Sequence, residues 1–136
     1  MAVRAVDVLD DTEEGFFLMI EGAHIDKHSH DNNAEDMAEA LIEFDKTVEA
    51  MLEYAKEDGE TLVVVTADHE TGGITGEDGY YEFTRGNHSS ADVPIRVYGS
   101  DDVIENGEVI DNCQLPVRIA AVLGFEESQF PISVNS

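Results

Sequence analysis

Positive charge is what this chain has least of. Seven Lys and Arg stand against 31 Asp and Glu, a formal net charge of −24 over 136 residues. A nucleic-acid partner is excluded on that ground, because phosphate-backbone binding needs a cationic surface. An anionic membrane surface is disfavoured for the same reason, whereas metal cations are drawn in. Most of the acid reads as a solvated face that confers solubility or suits a salty medium. Cysteine is nearly absent: Cys113 stands alone, which rules out an internal disulfide and a thiolate metal cluster, and it reads as a small packing residue. No run approaches the ~18 apolar residues of a membrane span. The N-terminal MAVRAVDVLDDTEEG alternates apolar with charged residues and holds no apolar signal-peptide core. The expectation is a cytoplasmic protein, or a mature or truncated piece of an exported one. Internal repeats and low-complexity linkers are lacking too. What remains, 42% hydrophobic, is ordinary for a globular chain, and its length gives one domain over 1–136 with room for a core.

Ala2 to Leu9 predicts a short amphipathic helix, broken by Asp10-Asp11-Thr12-Glu13-Glu14 and Gly15. Phe16 to Ile20 (FFLMI) is a continuous apolar run of strand length, suited to a strand buried on both faces. Asp31-Asn32-Asn33 supplies capping residues for a long helix to about Asp58, with Gly59 as its stop. Met37, Leu41, Phe44, Val48, Met51, Leu52 and Ala55 step by threes and fours along one stripe, and Glu39, Glu43, Glu49, Glu53 and Glu57 mark the wet side. Thr61 to Thr66 (TLVVVT) is a second buried-type strand. Strand, crossover helix and strand make a βαβ unit, so the expected fold is α/β, a mostly parallel sheet flanked by helices. Further on, Tyr80–Thr84 and Ile95–Tyr98 read as strands and Asn106-Gly107 as a hairpin turn. Asp111 or Asn112 caps a last helix through Leu123, stopped by Gly124.

The chemistry lies in six residues. Glu21 follows FFLMI immediately, with Asp26 and His30 just beyond; Asp68 and His69 follow TLVVVT; His88 comes later. Adjacent parallel strands would deliver the first two groups to one sheet edge, where open α/β folds bind ligands. Asp26 and His30 are four apart, so on a helical turn they share a face and could share a cation. Carboxylate with imidazole suits zinc, and Glu21 with oxygen partners suits magnesium. Singly, each residue has a bland reading as a cap, a loop charge or a satisfied histidine; the convergence is what argues for a metal centre. His24 and His28 lie in the same stretch, and nothing in their spacing marks them as ligands.

The motifs resemble those of the alkaline phosphatase family. GFFLMIEGAHIDKHSH is similar to its stretch in which a Glu binds magnesium and an Asp and a His bind one zinc; TLVVVTADHETGG resembles the strand whose Asp-His pair binds a second zinc; GNHSSADVPI resembles the segment whose His returns to the first. LPVRIAAVLG is similar to the family's final helix. Carried over by position, the resemblance implies Glu21 as magnesium ligand, Asp26, His30 and His88 as ligands of one zinc, and Asp68 and His69 as ligands of the other. Lys27 stands where Trp or His is frequent in the family, and is a candidate phosphate contact, against the bland reading of a surface lysine. The resemblance further implies hydrolysis of phosphate monoesters through a phosphoserine, two zinc ions and one magnesium, a periplasmic or secreted parent and a homodimer.

One part of that machinery has no match. The family's nucleophilic serine follows an Asp, and this chain contains no Asp-Ser pair, no early Gly-Asp-Gly metal motif and no arginine placed to grip phosphate. The expectation is the C-terminal portion of a phosphatase, rich in metal ligands and inactive alone. The alternatives are a related metal-dependent phospho- or sulfo-hydrolase or phosphomutase, or a non-enzymatic acidic domain that binds cations loosely.

Overall fold

The computed structural model describes residues 1–10, 15–77, 80–100, 103–105 and 108–126. The acidic break at Asp11-Thr12-Glu13-Glu14 and the turn expected at Asn106-Gly107 lie outside them. Helix α1 is Ala2–Leu9, as its periodicity predicts, and it packs on α3. Helix α2 is Ala23–His30. Gly22 begins it, and an added Cβ there would sit 2.9 Å from the Phe44 ring, so α2 approaches α3 closely because that residue has no side chain.

Helix α3 runs Ala34–Asp58. Its N-cap Asn33 accepts from the Asp36 N–H at 3.2 Å, and Glu35 and Asp36 place negative charge against the dipole's positive end. Gly59 closes it in the left-handed conformation, φ 77°, donating its N–H to the Ala55 carbonyl at 3.0 Å. The Asp58 carboxylate then accepts from Glu60 N and Thr61 Oγ1, turning the chain into the first strand. Met37, Phe44, Val48, Met51 and Leu52 are half-buried and Ala55 fully so, while the five glutamates face water. Leu41 departs from its stripe: it is 50% exposed, beside Ile42 at 56%, because the described elements leave that part of the face uncovered.

Among the described residues six short strands follow: β1 Val63–Val65, β2 Glu70–Thr71, β3 Ile74–Glu77, β4 Tyr80–Phe83, β5 His88–Ser89 and β6 Arg96–Tyr98. They pair as β1 with β6, β2 with β5 and β3 with β4, every ladder antiparallel. The mostly parallel sheet of a βαβ unit is therefore not what the described residues form. Phe16–Ile20 is extended but carries no ladder; Phe16, Leu18 and Ile20 turn half inward while Phe17 and Met19 are 61% and 78% exposed. The partner expected for it, β1, takes its hydrogen bonds from β6 in the register Val64↔Val97. An apolar run reports burial and not the identity or direction of its partner, which is why the sequence pattern misled.

Helix α4, Gln114–Val122, is the last element among the described residues. Its N-cap is Cys113 rather than the expected Asp111 or Asn112; Asp111 stands in the turn before it, its carboxylate accepting from Cys113 N while Gln114 Oε1 accepts from Asp111 N. Arg118 reaches back from α4, donating to Glu108 at 2.8 and 2.6 Å and to the Val103 carbonyl at 3.0 Å. Val103 and Ile104 are buried under it, with Ala120. No described helix is long and apolar enough to cross a membrane.

Candidate metal centre

Helix α2 sets Asp26 and His30 on one face, one turn apart, so their side chains meet as the i, i+4 spacing predicts. The ladder between β2 and β5 brings the rest. Its register places Thr71 opposite His88 and Glu70 opposite Ser89. Alternation puts His69 and Thr71 on one side of that ladder with His88, and Glu70 with Ser89 on the other. On the first side the His69 and His88 rings stack at 3.5 Å. On the second, Ser89 Oγ donates to the Glu70 carboxylate, which also accepts from Ile74 N and is held below the usual carboxylate range chiefly by the Ser89 hydroxyl.

Among the described residues, Asp26, His30 and His88 form a group of three potential metal donors. The His30 and His88 Nε2 atoms lie 3.0 Å apart, and Asp26 Oδ1 is 3.5 Å from the first and 3.6 Å from the second. A circle through these three atoms has a radius of about 2.0 Å, close to the zinc–nitrogen and zinc–oxygen bond lengths of ~2.0–2.2 Å. Asp26, His30 and His88 could therefore hold one such cation together. His30 Nδ1 lies 2.8 Å from the Gly86 carbonyl, which only accepts, so the proton of the neutral ring sits on Nδ1 and the Nε2 lone pair faces the centre. Two imidazoles and one carboxylate fit a zinc-like cation better than magnesium, which prefers oxygen donors. The Asp26 carboxyl is held below its usual range by the Thr71 hydroxyl above all, and also by the neighbouring His30, His69 and His88, with burial opposing. It is thus ionised and ready to ligate.

A second pair stands beside this group. His69 Nε2 is 3.3 Å from Asp68 Oδ2, and the Asp68 carbonyl accepts from Asn112 Nδ2 at the start of α4. The two side chains are close enough that they could ligate one cation together. Glu21 is exposed at the end of the extended segment and lies outside the three-donor group. Lys27 is exposed on α2 next to Asp26. His24 and His28 contact each other, ring centroids 5.8 Å apart, and His28 Nδ1 lies 3.9 Å from Asp36; neither belongs to the three-donor group.

Sequence reasoning missed the groups that hold these donor side chains in place. Thr71 and the Gly86 carbonyl both contact candidate donors. Thr71 was findable, since it lies two residues beyond His69 and alternation would face it the same way. A backbone carbonyl 56 residues from its partner leaves no sequence signal.

Comparison with known proteins places the chain in a family. The alkaline phosphatase family model matches residues 1–84. Alkaline phosphatase 4 of Bacillus subtilis is 45% identical over 75 residues, 55% of this chain and 16% of that protein. Alkaline phosphatase of Escherichia coli K12 is 45% identical over 69 residues, 51% of this chain and 15% of that protein. The solved alkaline phosphatase of the Antarctic bacterium TAB5 superposes with a TM-score of 0.81 at 32% identity, over 90% of this chain and 39% of that one. A mutant of it with Mg bound in the M3 site gives 0.83 at 33%, over 93% and 41%. The chain thus spans under a fifth of those curated relatives and about two fifths of the solved chains. The family model covers more than half of the sequence and runs through the elements bearing Asp26, His30, Asp68 and His69, and this chain belongs to the alkaline phosphatase family.

Proposed function

We propose that this chain supplies the metal-ligand portion of a centre that hydrolyses phosphate monoesters. The observation that carries the proposal is the triangle of Asp26, His30 and His88, whose three donor atoms lie 3.0 to 3.6 Å apart. In this reading those residues hold one zinc ion, Asp68 and His69 contribute to a second, and Glu21 contributes to a magnesium site. Bound there, the ions supply Lewis-acid stabilisation of the attacking and leaving oxygens and lower the pKa of a coordinated water or hydroxyl.

The chain's own residues do the rest. His30 and His88 present imidazole lone pairs, and the Gly86 carbonyl keeps the His30 proton off the ligating nitrogen. Asp26 offers a carboxylate that stays ionised. Lys27 places a positive charge on α2 one residue from Asp26, within a chain of −24 net charge that otherwise repels a phosphate dianion. The nucleophilic hydroxyl of this chemistry has no counterpart among the 136 residues, which contain no Asp-Ser pair, so they bind metal without turning ester over. An exported parent protein acting as a dimer belongs to the same reading, on family likeness alone.

Calorimetric titration of the chelator-treated chain with zinc tests the proposal. The expected result is tight zinc binding that Asp26→Ala abolishes, without measurable p-nitrophenyl phosphate turnover. Weak, numerous, calcium-preferring sites indifferent to Asp26→Ala would overturn the metal assignment in favour of loose cation binding on the acidic surface. Robust turnover by the chain would overturn the claim that it lacks a nucleophile.

A further inference from the structure

Thr71 is buried, 8% exposed, at the meeting of α2 with the β2–β5 ladder. Its Oγ1 lies 2.6 Å from Asp26 Oδ1 and 3.1 Å from His69 Nδ1, so one hydroxyl touches a ligand of each metal position. A threonine hydroxyl has a single proton, and an ionised carboxylate can only accept. That proton therefore goes to Asp26. The contact with His69 must then run the other way, ring Nδ1–H donating to the threonine oxygen. A neutral imidazole with its proton on Nδ1 keeps its lone pair on Nε2, the atom that faces Asp68.

We propose that Thr71 is a positioning residue shared by the two metal positions, its one hydroxyl orienting the Asp26 carboxylate and fixing the His69 tautomer together. The inference rests on the two-position reading of the metal centre. It explains why a polar side chain is buried here, since both hydrogen-bonding capacities of the hydroxyl are used. It also sets this residue apart from the Gly86 carbonyl, which orients His30 alone.

The test uses the whole chain with ¹⁵N-labelled histidine, at a pH well above the imidazole range. Without metal, the wild-type His69 ring should carry its proton on Nδ1; Thr71→Val keeps the shape, removes the hydroxyl and should release His69 toward the other tautomer. Zinc calorimetry should show both affinities falling roughly 10–100-fold in Thr71→Val, the range known for groups behind a metal ligand, and recovering in Thr71→Ser. A wild-type His69 protonated on Nε2 overturns the proposal whether or not the valine variant folds. So does a valine variant that keeps both affinities or loses only one. If the wild-type chain binds no zinc, the two-position reading fails and takes this inference with it; zinc binding unchanged in Thr71→Val removes this inference alone.

Discussion

His88→Ala separates a built metal site from generic attraction of cations to an acidic protein. The change removes the one donor that β5 contributes, cutting a link between α2 and β5 across 58 residues of sequence. Structural zinc sites with four ligands bind with roughly 10–16 kcal/mol of apparent free energy, or roughly 2.5–4 kcal/mol per ligand. Loss of one donor should therefore raise the zinc dissociation constant about 10²–10³-fold. Linkage turns this into a melting experiment. With free zinc at about 100 times the wild-type dissociation constant, binding stabilises the folded chain by about 2.7 kcal/mol. For a chain of this length that is a rise of roughly 10 °C in melting temperature. At the same free zinc the variant gains only a few tenths of a kcal/mol, about 1 °C. Circular-dichroism melts with and without zinc measure the difference, and competition with a chromophoric chelator gives the dissociation constants. Melts in chelator give each protein its own baseline, so the lost ring contact with His69 cancels out. Glu49→Gln, on the exposed side of α3, serves as the control and should keep the full shift. A His88→Ala chain with the wild-type zinc shift would refute the reasoning, because zinc would then be held elsewhere.

Three further outcomes are expected. Gly72→Ala should lower stability by roughly 1–3 kcal/mol and weaken zinc binding: Gly72 has φ +94°, an added Cβ would fall 2.5 Å from the Phe83 ring, and its N–H holds the Asn87 carbonyl beside His88. Unchanged melting and zinc affinity would contradict this. Arg118→Gln should lower the melting temperature in a pH-dependent way. Arg118 pulls the Glu108 carboxyl down to about 2 from an ordinary 4.5, so that stabilisation is complete above the ordinary value and fades as pH falls through about 2. The gap between wild type and variant should shrink over that window, and a constant gap would argue against the ion pair as its source. Added NaCl should raise the melting temperature in chelator, because −24 of net charge repels itself over a Debye length that falls from ~10 Å at 0.1 M to ~3 Å at 1 M. A steady fall with salt would remove self-repulsion as a factor.

Local rules carried the sequence reading where contacts are local. Asn33 and Gly59 bound α3 because a cap's hydrogen bond and a left-handed residue act within one turn. Asp26 and His30 meet because four residues span one helical turn. The strands were harder. β2 and β5 are two residues each, too short to show any period, yet their register brings His88 to His69, Thr71 and Asp26. The helix joining Phe16–Ile20 to Thr61–Thr66 predicts a parallel pair, but of the two only the second segment forms a ladder among the described residues, through β1, and it pairs with β6.

By itself the sequence determined the donor chemistry: which side chains can ligate, that Asp26 and His30 form a pair, and that a chain this acidic attracts cations and repels nucleic acid. The tertiary structure decided which of those donors share a point in space. A triangle of 3.0 to 3.6 Å needs Asp26 and His30 held against His88, an orientation of His30 set by Gly86, and a Thr71 hydroxyl between Asp26 and His69. Thr71 with Asp26, Gly86 with His30, and His88 with His30 and Asp26 are pairs 45 to 62 positions apart, where sequence spacing says nothing about distance and only the closure of the chain brings the groups together.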